Sequence, residues 1–148
     1  KIGEKNKDIN LKIKSSFKNN LNVIFCIGET YNERKKRKTF LVLRKQIIDS
    51  IDRKFDFNKI IIAYEPVWSI GTGKIPNTTD LKKIFYYIKN EIKKNFKTKK
   101  PPNVLYGGSV NKKNVKIFAK ISNIDGFLIG GASQSTKKFI DIIKNYYK

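Results

Sequence analysis

The sequence contains no histidine and no methionine, one cysteine and one tryptophan. Each scarcity excludes something. Cys26 alone cannot close an internal disulfide, and a single thiol suits a reducing cytoplasm. Without histidine, and with that one cysteine, the usual metal-ligand clusters cannot be built, so no metal is expected. No apolar run reaches the length needed to span a bilayer, and no signal-peptide pattern opens the chain, so no membrane partner is expected. Acidic residues are few: 12 stand against 33 Lys and Arg, which leaves a net charge of +21. With no methionine and Lys1 in first place, the chain reads as a piece of something longer.

What is present is a globular composition. Hydrophobic residues make up 39% and charged residues 30% of 148 positions, enough for one domain with a sizeable core and too apolar for disorder. The positive charge invites a nucleic-acid reading. The lysines, however, are spread along every segment, and the densest runs, Lys35-Lys36-Arg37-Lys38 and Lys97-Thr98-Lys99-Lys100, fall in expected loops or helix ends. No zinc knuckle, basic zipper or RNA-binding aromatic motif accompanies them. Charge alone supports only non-specific binding, so no specific nucleic-acid partner is expected.

Apolar spacing divides the chain into alternating elements. Ile9, Ile13 and Phe17 repeat every four residues and predict a helix over 8–18, ended by Asn19-Asn20. Asn22 to Ile27 reads as a buried strand closed by Gly28, and a polar loop begins at Glu29-Thr30. Phe40, Leu43, Ile47 and Ile51 form the stripe of a second helix. A strand over 60–64 follows, then a glycine-bearing loop. Asn77 caps a helix with Asp80 near its positive end, and Leu81, Ile84, Phe85, Ile88 and Ile92 mark its apolar face. Strands over 103–106 and 126–129 each run into a Gly-Gly pair. Helices are expected at 114–119 and around Phe139, Ile142, Ile143 and Tyr146. Strands alternating with helices mean a parallel α/β architecture.

The chemistry concentrates after the second of these strands. Ile60-Ile61-Ile62-Ala63-Tyr64 is β-branched and short, as a central parallel strand requires. It ends in Glu65, at the carboxyl end where α/β folds place ligands. Pro66 ends the strand, and Gly71 and Gly73 let the next segment bend. From these residues alone, Glu65 reads equally as a base under a closing loop or as a strand-capping carboxylate before a turn. Gly71, Gly107-Gly108-Ser109 and Gly130-Gly131 present main-chain N–H groups without bulky side chains. After successive strands, they favour phosphate binding over mere tight turns.

Ala63-Tyr64-Glu65-Pro66-Val67-Trp68-Ser69-Ile70-Gly71-Thr72-Gly73-Lys74 resembles the signature stretch of the triosephosphate isomerase family. Cys26-Ile27-Gly28-Glu29, Tyr106-Gly107-Gly108-Ser109-Val110 and 126–133 are similar to that family's motifs, in the right order. The resemblance runs from Ile2-Gly3-Glu4 to the C-terminus. It implies a (β/α)8 TIM-barrel fold, of which residues 1–148 carry only the C-terminal four strand-helix units as one domain's second half. It also implies interconversion of dihydroxyacetone phosphate and glyceraldehyde 3-phosphate without a cofactor, in a cytoplasmic enzyme that is a homodimer when full length.

Residue by residue, the resemblance makes Glu65 the base that shuttles a proton between C1 and C2. Gly71, Ser109, Gly130 and Gly131 would bind the substrate phosphate. Pro66, Val67, Trp68, Thr72, Gly73 and Lys74 would belong to a closing lid, held by Tyr106 and Ser109. Trp68 reads as a hinge-packing aromatic and Cys26 as a small buried apolar side chain; Glu29 is assigned no chemistry. One departure is large. The family's histidine electrophile and substrate lysine belong to the half of the barrel that precedes Ile2-Gly3-Glu4, so this fragment alone is expected to be inactive. The alternative is a non-catalytic basic half-barrel that binds anions or nucleic acid.

Overall fold

The computed structural model describes residues 4–98 and 100–147. Ile2 and Gly3 of the family-like opening, and Lys99 of the second basic run, lie outside the described residues. The elements are α1 (Asn6–Lys18), β1 (Val23–Ile27), α2 (Tyr31–Lys35), α3 (Thr39–Ser50), β2 (Ile60–Tyr64), α4 (Thr78–Phe96), β3 (Val104–Tyr106), α5 (Val115–Ala119), β4 (Gly126–Phe127) and α6 (Thr136–Tyr146). Short 3-10 turns precede β2 at Phe57–Lys59 and follow β4 at Gly131–Gln134.

The strands form one parallel sheet in the order β1-β2-β3-β4. Alternation along the strands sorts side chains onto two faces. Phe25, Ile27, Ile60, Ile62, Tyr64, Val104 and Tyr106 are buried in the core shared with the helices. On the opposite face Ile24 is 50% exposed, Cys26 is exposed, and Ile61 and Leu105 are half-buried. Ala63 is the exception on this face and is fully buried. It is small, and the register sets it between Cys26 and Leu105. The result is half the wall of a parallel barrel, with helices outside and the inner face open.

α4 is built as its spacing predicts. The Asn77 side chain accepts the Asp80 N–H at 2.7 Å, and Leu81, Ile84, Phe85, Ile88 and Ile92 are all buried. Each such side chain contributes about 1.5–3 kcal/mol on burial. α1 ends where expected, because Asn20 takes a left-handed conformation (φ 57°) that asparagine tolerates.

Four expectations need correction. The polar stretch after Glu29 is not all loop: Thr30 and Glu33 form a reciprocal capping box that starts α2. Phe40 is off the buried stripe of α3, which runs Thr39, Leu43, Ile47; Phe40 is 40% exposed and leans on Tyr87 instead. β4 has two residues rather than four, although the Leu128 N–H still donates to Tyr106 O at 3.0 Å. α6 forms, but only Ile142 of its stripe is buried, while Phe139, Ile143 and Tyr146 stay about 40% exposed. β4 is the last strand of the sheet, and no further strand among the described residues covers that face.

Candidate active site

β1, β2 and β3 bring three residues side by side. The register pairs Ile27 with Tyr64 and Tyr64 with Tyr106, so Gly28, Glu65 and Gly107 meet one step further along. The ladder reaches that step: the Glu65 N–H donates to Ile27 O at 2.7 Å, and the Gly107 N–H to Tyr64 O at 2.9 Å. A Cβ at Gly28 would stand 1.9 Å from the Glu65 carbonyl oxygen, and one at Gly107 would stand 2.5 Å from Glu65 Cγ. Both positions demand glycine because Glu65 fills the space between them. Glu65 itself is half-buried, on the open face at the carboxyl end of β2.

Cys26 shares that face. It is exposed, not buried as its sequence context suggests, because four strands supply no opposite wall. Its thiol still lies against Glu65. Partial burial, and after it the carboxylate's charge and hydrogen bond, push the thiol up to about 12. Cys26 is therefore a neutral thiol at neutral pH, and alkylation by iodoacetamide should be slow for a residue this accessible. Glu65→Gln should speed it, roughly tenfold for each pKa unit released. Gly107→Ala, which forces the carboxylate aside, should act in the same direction. An unchanged rate in both variants would show that Glu65 does not sit on the thiol.

The segment after Glu65 folds over as a latched loop. The Val67 N–H donates to Glu29 O at 3.0 Å and the Ser69 N–H to Pro66 O at 2.8 Å. Ser69, fully buried, is the hub. Its hydroxyl donates to Lys74 O at 2.5 Å and lies 3.2 Å from the Tyr106 hydroxyl. Ser109 Oγ donates to Ser69 O at 2.6 Å and accepts the Gly73 N–H at 3.2 Å. The Thr72 hydroxyl donates back to Trp68 O at 2.9 Å. Burial pushes the Tyr106 phenol up, which keeps its proton on. Gly71 and Gly73, at φ 67° and 74°, take the left-handed turns that close the loop. Tyr106 and Ser109 thus both meet the loop at Ser69, the contact that sequence reasoning missed.

Sequence reading also leaves Glu29 without a task, and the structure makes it the loop's anchor. Glu29 is fully buried. Its carboxylate accepts from Tyr64 Oη at 3.0 and 3.2 Å, from Trp68 Nε1 at 3.1 Å and from Arg34 Nη1 at 3.3 Å. Burial first, then the Glu29 charge, raise the Tyr64 phenol far above its ordinary value, so it remains a donor. Trp68, read in the sequence as a hinge-packing aromatic, spends its N–H on this carboxylate. The readable signal was a carboxylate directly after an apolar strand, with an arginine five residues on.

Gly130 and Gly131 stand apart. They lie at the end of β4, beside the Gly107-Gly108-Ser109 turn on β3, and form a single turn in which Ser133 donates to Gly130 O from both N–H (2.8 Å) and Oγ (2.7 Å). Among the described residues no hydrogen bond joins them to the loop after β2. An added Cβ at either meets nothing within 4 Å, and neither has a positive φ. A side chain at Gly131 would therefore not strain its own backbone, unlike one at Gly71 or Gly73. Nor do the described residues hold any group of His, Cys, Asp and Glu able to bind a metal ion, and no helix among them is long and apolar enough to cross a membrane.

A sheet of this kind, with a carboxylate at one strand end, a latched loop and glycine turns at the next two, has known counterparts. The family model described as triosephosphate isomerase matches residues 1–146. Triosephosphate isomerase of Thermodesulfovibrio yellowstonii is 40% identical over 137 residues, which is 92% of this chain and 56% of that protein. The enzyme of Mycoplasma mobile is 41% identical over 136 residues, 92% of this chain and 54% of the relative. The crystal structure of triosephosphate isomerase from Bartonella henselae superposes with a TM-score of 0.87 at 31% identity, covering 98% of this chain and 58% of that one. The chain thus spans a little over half the length of the curated relatives it matches.

Proposed function

The chain belongs to the triosephosphate isomerase family, and from that premise we propose that it supplies the base, lid and phosphate cradle of an enzyme that interconverts dihydroxyacetone phosphate and glyceraldehyde 3-phosphate. Residues 1–148 are the C-terminal portion of one barrel domain. The observation that carries the reading is Glu65, wedged between Gly28 and Gly107 at the end of β2 with the latched loop beginning at the next residue. A carboxylate fixed in this way takes a proton from one carbon of the triose phosphate and returns it to the neighbouring carbon on the same face. The enediolate formed between these two transfers carries negative charge that Glu65 cannot stabilise.

That charge needs an electrophile, which in this family is a histidine, and the chain has none. The remaining roles rest on the family resemblance. Backbone N–H groups of Gly71, Ser109, Gly130 and Gly131 hold the phosphate. The lid from Pro66 to Lys74, tied down by Ser69, Tyr106 and Ser109, excludes water from the reacting carbons. The reading carries with it a cytoplasmic homodimer once the barrel is complete, and no membrane or specific nucleic-acid partner.

The test of the cradle separates two glycines. In a barrel completed by a relative's strand-helix units, Gly71→Val and Gly131→Val should each weaken competition by inorganic phosphate about tenfold or more, the effect of a lost hydrogen bond to a charged group. Gly71→Val should also lower thermal stability, because its φ of 67° opposes a side chain. Gly131→Val should leave stability unchanged. Unaltered phosphate competition in both would show that these glycines only make turns.

A further inference from the structure

Among the groups around the lid, Arg34 has no task in the chemistry above, yet it touches both ends of the loop. Its guanidinium carbon lies 4.8 Å over the Trp68 ring, at the lid's first hinge. Nη1 meets Glu29 at 3.3 Å, and Nη2 meets Asp80 Oδ2 at 2.5 Å. Asp80 sits in the first turn of α4, the helix into which the lid runs. One turn earlier on α2, Tyr31 packs at a tilt on Trp68 with ring centroids 6.5 Å apart, and the Lys74 ammonium lies 5.8 Å from its ring. The short helix α2 is therefore the seat of the whole loop.

We propose that Arg34 is a positioning residue for the lid: it fixes the distance between the two hinges, through Trp68 and Glu29 at one end and Asp80 at the other, and so sets how often the lid opens. The importance of the lid rests on the isomerase reading; the grip itself does not. Arginine suits the task where lysine does not. Its planar fork can serve two carboxylates at once while its face stacks on an indole. The two ends are unequal. Glu29 is fully buried, so removing Arg34 strands a buried carboxylate and weakens the fold as well as the lid. The Asp80 side chain is 39% exposed, so changing it loosens one hinge with little cost elsewhere. Its backbone N–H, which Asn77 caps, is untouched by substitution.

Trp68 is the only tryptophan, so its emission reads the first hinge directly, and the Gly73 amide, bonded to Ser109 Oγ, reads the lid. The variants are Asp80→Asn and Arg34→Lys, with Asp80→Glu as the conservative rescue. In both test variants Gly73 amide exchange should quicken about tenfold, with Trp68 more readily quenched by acrylamide. In Asp80→Asn the buried α4 amide of Ile88 should keep its native rate, in Arg34→Lys it should quicken less than Gly73, and Asp80→Glu should restore both lid readings. Native Gly73 exchange in folded Asp80→Asn overturns the proposal. So does equal acceleration at Ile88, which would mark general loosening. Should Arg34→Lys fail to fold, Asp80→Asn alone decides. In a completed barrel the same variants should lower kcat/KM about tenfold. A completed barrel that is inactive with Arg34 and Asp80 intact would sink the isomerase reading and leave the exchange result to judge the grip.

Discussion

Residues 1–148 by themselves will show no measurable isomerase activity, and addition of the strand-helix units that the relatives possess beyond this chain will restore it. Two separate failures lead to this result. The first is architectural. β1 pairs only with β2 and β4 only with β3 among the described residues, so both edges of the parallel sheet stay open and no cylinder forms. Ile24 and Cys26 on the inner face, and Phe139, Ile143 and Tyr146 on α6, stand in water. At about 25 cal/mol per Å² of apolar surface, leaving them uncovered forfeits stability that a closed barrel would gain. A net charge of +21 opposes self-association as a remedy.

The second failure is chemical, since a base without an electrophile leaves the enediolate charge unmatched. The measurement is isomerisation of glyceraldehyde 3-phosphate by the chain alone, and again after refolding with the complementary units of a relative, histidine and lysine included. Turnover by the chain alone would mean that the chemistry needs no histidine, and the present assignment would fall. Shift of an unrelated DNA that survives high salt would favour the basic-binder alternative instead.

Glu65→Asp in the completed barrel should lower kcat by about a hundredfold or more while changing phosphate competition little. The shorter side chain withdraws the carboxylate by about one ångström, and proton transfer between well-oriented groups is steep in distance. The slot itself gives the carboxylate no way to recover the reach. Gly107 holds its backbone against Glu65 Cγ on one side, and the Glu65 backbone is pinned by its hydrogen bond to Ile27 on the other. Of the groups proposed to hold the phosphate, Ser109, Gly130 and Gly131 sit on other loops and Gly71 lies well along the loop from Glu65, so phosphate competition should change little. Near-native kcat would reject Glu65 as the base; an equal loss in phosphate competition would show that the substitution had disturbed the cradle.

Much of this molecule was legible locally. The β-branched run before Glu65, the Asn77 cap and the five-residue stripe of α4 depend on neighbours a few positions away, and each appears where its spacing put it. The family motifs were legible for the same reason, since each lies within one short stretch. The misses were also instructive. Thr30 and Glu33 form a capping box whose spacing is local, but the polar composition of the segment masks the helix it starts. Phe40 fell one position off its stripe, and the stripe of α6 was real in sequence but uncovered in space.

The sequence by itself determined which stretches become strands and helices, their alternation, and the carboxylate at the end of β2, because periodicity and capping act through the chain's own near neighbours. Only the tertiary structure decided what that carboxylate and its loop touch. Glu29 reaches Tyr64 and Trp68 across 35 and 39 residues, Arg34 reaches Asp80 across 46, and Gly107 closes on Glu65 from a different strand. Such contacts are set by parallel register, which a single residue's slip would abolish. The exposure of Cys26 was likewise decided by how many strands stand opposite it, since an apolar pattern records which face a side chain takes and not whether anything covers that face.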